Sequence, residues 1–282
     1  MDKNPYPSVA ASNLRKLPRG RSASHRWIVA VALVWCLLQF LNPNGARGQA
    51  AEYGREAPAS PVNNDLPFTR LNTWSAFTQY SPNSSHIILG YAERRRLVTV
   101  GGEYSRRLSS RKWESLYYLV QARPLVLAGD PDLVALKSIF SNQVVVRFPS
   151  PERVVAISRA LVDVPVGPNL VIVASPVYGR QWTYSAGFNP LGLKLSLAPR
   201  RRLQPVLLAA AGFLVSTRDL PVDNSSRFNF SFEFGGGLEW FYKPRRSVRF
   251  DYRIHHISNA RIGATNPGID SGLMQITYSF GR

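Results

Sequence analysis

Three successive stretches near the C-terminal end of the chain alternate apolar and polar residues with a period of two. In RFNFSFEFGGGLEWFY, Phe228, Phe230, Phe232 and Phe234 alternate with Asn229, Ser231, Glu233 and Gly235. In SVRFDYRIHHIS, Val248, Phe250, Tyr252 and Ile254 alternate with Arg249, Asp251, Arg253 and His255. In MQITYSF, Met274, Ile276, Tyr278 and Phe280 stand opposite Gln275, Thr277 and Ser279. Upstream, Leu191, Leu193, Leu195 and Leu197 alternate with Gly192, Lys194 and Ser196. Successive side chains of a strand point to opposite faces, so each stretch is a strand with one apolar and one polar face.

Two architectures accept such strands. A soluble sandwich turns the apolar faces inward. A small membrane barrel inverts this, with apolar faces toward lipid and polar faces filling the lumen. The N-terminus favours the second. Basic residues from Arg15 to Arg26 precede an apolar run of 15 residues, Trp27 to Leu41, broken only by Gln39. That is short for a membrane-spanning helix, which needs roughly 20 residues. Gly48 and Ala50 then sit at −3 and −1 of a cleavage point. Residues 1–50 are therefore expected to be a secretory signal peptide rather than a single anchor. Cys36, the one cysteine, lies inside the run behind Trp35, a poor lipoprotein site. The exported chain would carry no thiol, hence no disulfide framework or cysteine metal site. The 12 Tyr, 14 Phe and 6 Trp suit strands and membrane-interface belts.

The expected fold is all-β: an eight-stranded antiparallel transmembrane barrel of the outer membrane. A flexible leader covers 51–70, and the barrel 71–282. Strands are expected near 72–80, 95–107, 113–124, 182–197, 203–216, 228–242, 246–258 and 271–281. IILGYAE (87–93) extends the second strand or forms a separate hairpin arm. Arg249, Asp251 and Arg253 would pair with Glu233 and Glu239 in the lumen. Basic turns APRRR and KPRR fall at the periplasmic end, and 259–270 at the outer end. Residues 125–181 break the rhythm as a long insertion: a lid, a small subdomain, a partner surface or an ordered decoration.

Of 35 Lys/Arg and 17 Asp/Glu, seven and one lie in residues 1–50, leaving 28 and 16, net +12. A surface so basic attracts polyanions: nucleic acid, phospholipid headgroups or phosphorylated glycolipid. Export narrows the choice to the envelope.

The stretch HHISNARIGATNPGID carries the candidate chemistry. Outward parity runs Val248, Phe250, Tyr252, Ile254 and continues to His256 and Ser258, while His255 falls on the polar inner face. In the last strand the outward residues are Met274, Ile276 and Tyr278, and the same parity extends back to Asp270. Imidazole, hydroxyl and carboxylate then meet on one outer wall, the set that ester hydrolysis uses as base, nucleophile and orienter. An i, i+2 pair on one strand face lies roughly 6.5–7 Å apart at the backbone. Polar groups in a lipid-facing stripe are costly and usually functional, although near the headgroups they are also tolerated.

The same residues carry a resemblance. H-x-S-N-A (256–260) followed by N-x-G-I-D (266–270) resembles the C-terminal signature of the lipid A 3-O-deacylase (PagL) family of eight-stranded outer-membrane barrels. The resemblance is good over about 182–280, weak over 71–124 and absent over 125–181. It implies an active site on the barrel exterior with catalytic His256, Ser258 and Asp270, and with Asn266 contributing to the oxyanion hole. Asn259 and Ala260 also match. Three positions depart: Asp270 replaces the usual Glu, Arg261 replaces a Gly whose N–H serves the oxyanion, and Gly281 and Arg282 follow the final aromatic.

The expected function is thus an ester hydrolase that removes an acyl chain from lipid A. Asn266, Asn259 and Arg261 would be the oxyanion and substrate-binding groups, and Arg261, Arg218 and Arg227 a basic rim for phosphates. No metal or cofactor is expected. Expected partners are lipid A or lipopolysaccharide, or another acylated membrane lipid, and the outer membrane itself; nucleic acid is not among them, and a homodimer is left open. Two alternatives stand: a structural or adhesive barrel whose 125–181 segment binds a partner, and an esterase for another membrane lipid.

Overall fold

The computed structural model describes residues 67–281. The expected signal peptide and most of the expected leader lie outside them. The described residues form ten antiparallel strands and no helix: β1 (Asn72–Ser81), β2 (Arg96–Ser110), β3 (Glu114–Ser138), β4 (Val144–Arg153), β5 (Val162–Gly167), β6 (Leu170–Leu197), β7 (Leu203–Leu220), β8 (Ser226–Lys243), β9 (Arg246–Ser258) and β10 (Ile269–Gly281). The sheet order is β4-β3-β2-β1-β10-β9-β8-β7-β6-β5, and β3 also pairs with β6. That pairing closes eight strands into a barrel and leaves β4 and β5 as flanks. Closure leaves the ring no free edge, so its backbone groups can be satisfied within lipid.

The molecule is inverted as a membrane barrel must be. Arg123, Arg249, Arg253, Glu103, Glu233 and Glu239 are buried in the lumen, while Trp74, Leu191, Phe250, Tyr252, Met274 and Ile276 are exposed outside. Arg249 pairs with Glu103 at 3.1 Å and Asp251 at 2.8 Å, and Arg253 with Glu233 at 3.2 Å and Asp251 at 2.9 Å. Glu239 finds its ion-pair partners off β9, Arg70 at 2.8 Å and Lys194 at 3.1 Å, and takes from β9 only the Ser247 hydroxyl at 2.6 Å. Arg70, expected in the leader, is therefore 3% exposed, drawn into the barrel by Glu239 and Ser247.

β3 and β6 have 25 and 28 residues, far beyond the 9–11 or so that cross a bilayer. β2 leaves β3 at Arg96↔Gly129, but β3 and β6 stay paired out to Ser138↔Ala174. β4 and β5 flank this extension. Residues 125–181 thus continue two barrel strands into a four-stranded arm, not a lid. Register shifts between Tyr118/Gln121, Arg123/Val126 and Leu133/Ala135 move the side-chain parity, so no single alternation marks the strand.

Residues 87–93 form neither a strand extension nor a hairpin arm. They belong to the loop between β1 and β2, which packs on the β9–β10 end through Tyr91 N–H to Pro267 O (2.9 Å) and Ala92 N–H to Gly268 O (3.1 Å). Ala92 joins Leu97, Val126, Leu214, Leu220, Ile257, Ile269 and Leu273 in a buried apolar cluster at the barrel mouth.

Candidate active site

β9 and β10 place the candidate groups by register. His256 pairs with Asp270 across the two strands. On the other side, Phe232 of β8 lies opposite His256 and Phe230 opposite Ser258. Along β9 the odd residues from Ser247 to Ile257 are buried and the even ones open outward, so His256 and Ser258 share the outer wall. The outward parity read from the sequence is the parity observed.

His256 Nδ1 lies 2.6 Å from Asp270 Oδ1, with the side chains 16% and 0% exposed. With Nδ1–H donated to the carboxylate, Nε2 is left as the accepting nitrogen. Asp270 keeps outward parity yet is fully covered, because the β1–β2 loop lies over it. Its Oδ2 accepts the backbone N–H of Ile87 (3.2 Å), Ile88, Leu89 (2.9 Å) and Gly90 (2.9 Å). Gly90 is required: a Cβ there would lie 2.7 Å from Asp270 N and 2.9 Å from Oδ1. No sequence signal named this loop, since its partner is about 180 residues away.

The connection 259–268 is tied to itself. Asn259 is buried; its N–H donates to Asn266 Oδ1 (3.1 Å) and its Nδ2 to Thr265 O (2.8 Å), while its Oδ1 accepts the Arg261 N–H (2.8 Å). Ala260 and Arg261 adopt φ of 50° and 68°, the left-handed region a glycine favours. The Asn259 side chain and the Arg261 N–H are thus spent within the turn. Asn266 is held by its oxygen, which leaves its Nδ2 group facing away from that bond. The described hydrogen bonds include none between Ser258 and His256. Arg261, Arg218 and Arg227 are exposed at this end of the barrel.

The hairpin that holds this constellation lies within a stretch of known kind. Residues 168–279 match the lipid A 3-O-deacylase (PagL) family. The match takes in β6 through most of β10, with His256, Ser258, Asn266 and Asp270 inside it. It leaves out the β1–β2 loop and most of the arm. Among solved structures, the outer membrane enzyme PagL aligns at TM-score 0.45 and 13% identity, over 74% of this chain and 99% of that one. Neisserial surface protein A aligns at TM-score 0.38 and 10% identity, over 75% and 97%. No curated protein matches the chain.

Proposed function

We propose that this protein is an outer-membrane lipid A deacylase that hydrolyses an ester-linked acyl chain, the 3-O chain on the PagL resemblance. Ser258 Oγ attacks the ester carbonyl while His256 Nε2 takes its proton. The tetrahedral oxyanion collapses, the sugar alkoxide leaves with the proton from His256, and the acyl group stays on Ser258. Water, deprotonated by the same nitrogen, then releases the fatty acid and restores the serine. Asp270 holds the imidazole tautomer and balances its transient charge. Asn266 Nδ2 is the best available side-chain donor to the oxyanion, now that Asn259 and the Arg261 N–H are occupied. In unliganded enzymes the nucleophile–base bond is often unmade and forms around substrate, which fits the open Ser258–His256 pair.

The observation that carries this reading is the 2.6 Å His256–Asp270 contact on the outer wall, two residues from a serine on the same face. The ester of a lipid A molecule in the surrounding leaflet lies on that side of the sheet. The decisive experiment expresses the chain and its Ser258→Ala variant in a lipid A-bearing strain and reads lipid A by mass spectrometry. Loss of one hydroxyacyl mass is expected with the wild type alone. Unchanged lipid A beside a folded, inserted barrel would refute it.

A further inference from the structure

The β1–β2 loop does more than pack on the β9–β10 end. Four consecutive N–H groups, Ile87 to Gly90, converge on one carboxylate oxygen, Asp270 Oδ2, while Oδ1 meets His256. Successive backbone donors of this kind form a nest for an anion, and here the anion is the chain's own side chain. A carboxylate with lipid-facing parity would otherwise be poorly solvated.

The loop is itself held at its far end. Arg95 is fully buried and donates to Glu93 O (2.7 Å), Val154 O (2.5 Å), Val155 O and Asp130 Oδ1 (3.3 Å). The Glu93 N–H also reaches Val155 O at 2.9 Å. Residues 154 and 155 directly follow β4, and Asp130 sits where β3 leaves the barrel. Ser84 ties the two ends of the loop together, its Oγ accepting the Arg95 N–H (2.9 Å) and donating to Ala92 O (2.7 Å). A continuous chain of contacts therefore runs from the arm through Arg95 and the loop to Asp270 and His256.

We infer that the 87–90 backbone is a positioning nest for Asp270, and that Arg95 locks it by fastening the loop to the arm. The inference rests on the proposed Ser258–His256–Asp270 chemistry. It assigns the arm a task, bracing the acid from outside the residues that match the PagL family. It also accounts for an aspartate at this position: Gly90 lets the donors come down to the shorter side chain.

The test is a double-mutant cycle. Gly90→Val lifts the nest by steric clash, and Arg95→Met removes the lock from the other end. Each is made in the wild type and in Asp270→Asn. Two rates are read on barrels whose gel mobility is heat-modifiable: lipid A deacylation, and labelling of Ser258 by a fluorophosphonate. A group displaced by about 1 Å can lose about 10²-fold in rate, so each substitution should lower kcat on that scale with KM little changed. In Asp270→Asn neither should cost anything further, because the acid they position is gone. Equal losses in both backgrounds would mean general destabilisation and overturn the inference, as would wild-type rates for both variants. The wild-type arm separates the two levels: an unlabelled, inactive wild type sinks the proposed chemistry itself, whereas a labelled wild type with additive variants sinks only the nest.

Discussion

His255 and His256 are neighbours in the chain, and each stands beside a hydroxyl and a carboxylate. In the lumen, His255 Nε2 lies 2.9 Å from Ser231 Oγ and 3.7 Å from Glu233 Oε1. On the outer wall, His256 has Asp270 at 2.6 Å and Ser258 two residues along. The inner set has the serine–imidazole bond that the outer one lacks, yet both its groups meet the same ring nitrogen, so among the described residues no acid holds Nδ1. Its other partners also count against it. Glu233 is already paired with Arg123 (2.6 Å) and Arg253 (3.2 Å), and Ser231 accepts from Arg123 (2.8 Å). An imidazolium formed there would add a cation to a site already rich in guanidinium. Among the described residues Asp270 has no Lys or Arg partner, and besides the imidazole its donors are neutral N–H groups. One strand thus builds a charge-balanced filling on one face and the proposed proton acceptor on the other.

The largest expected difference is between the serines. Ser258→Ala should cost about 10³-fold or more in deacylation, the scale for loss of a triad nucleophile. Ser231→Ala should leave the rate per folded molecule unchanged. Mass spectrometry of lipid A and fluorophosphonate labelling check both. If Ser231→Ala were as costly, the lumen would be the site and the comparison would reverse.

Next comes stability. Glu233→Gln leaves Arg123 without its acid, and removing one member of a buried ion pair costs about 3–5 kcal/mol. Urea unfolding of the detergent-solubilised barrel should show that loss, with activity retained below the transition. Asp270→Asn should do the opposite, slowing the reaction while barely moving the unfolding midpoint. A destabilised Asp270→Asn with normal specific activity would make Asp270 a structural residue. Asn266→Ala should lower kcat by about 10²-fold, the scale for one oxyanion donor. Asn259→Ala should act through the turn instead, raising protease sensitivity at 259–268 more than it changes kcat at low temperature.

The legibility of these regions in the sequence follows from local geometry. β9 was readable to the residue, 246–258, because its alternation is unbroken and its outer face is apolar from Val248 to Ile254. The facing of His256, Ser258 and Asp270 followed from the same parity. β3 and β6 were readable only in their barrel halves, since the bulges invert parity and Pro131, Pro176 and Pro190 interrupt the pattern. The loop over Asp270 was not readable at all. Its donors are backbone groups, which carry no sequence signature, and Ile87, Ile88 and Leu89 read as strand residues because their side chains are apolar. The bonds of Asn259 were unreadable for a related reason: its Oδ1 accepts the Arg261 N–H across left-handed residues 260 and 261, a turn that no residue type announces.

The smallest effect tests the outer site most closely. Glu is the acid expected from the PagL resemblance, so Asp270→Glu restores the usual residue. Here it should slow the enzyme. The carboxylate is held between His256 and four N–H groups, and Gly90 leaves no space above it. An added methylene must push the loop up or the imidazole aside, an overpacking cost of about 1–3 kcal/mol, whose lower end corresponds to roughly fivefold in rate. In Gly90→Val the order should invert. With the nest already lifted, the longer side chain reaches Nδ1 without help, and Glu should match or exceed Asp in labelling rate. A wild-type background in which Glu is as fast as Asp would mean that the loop merely covers the acid and does not set its length.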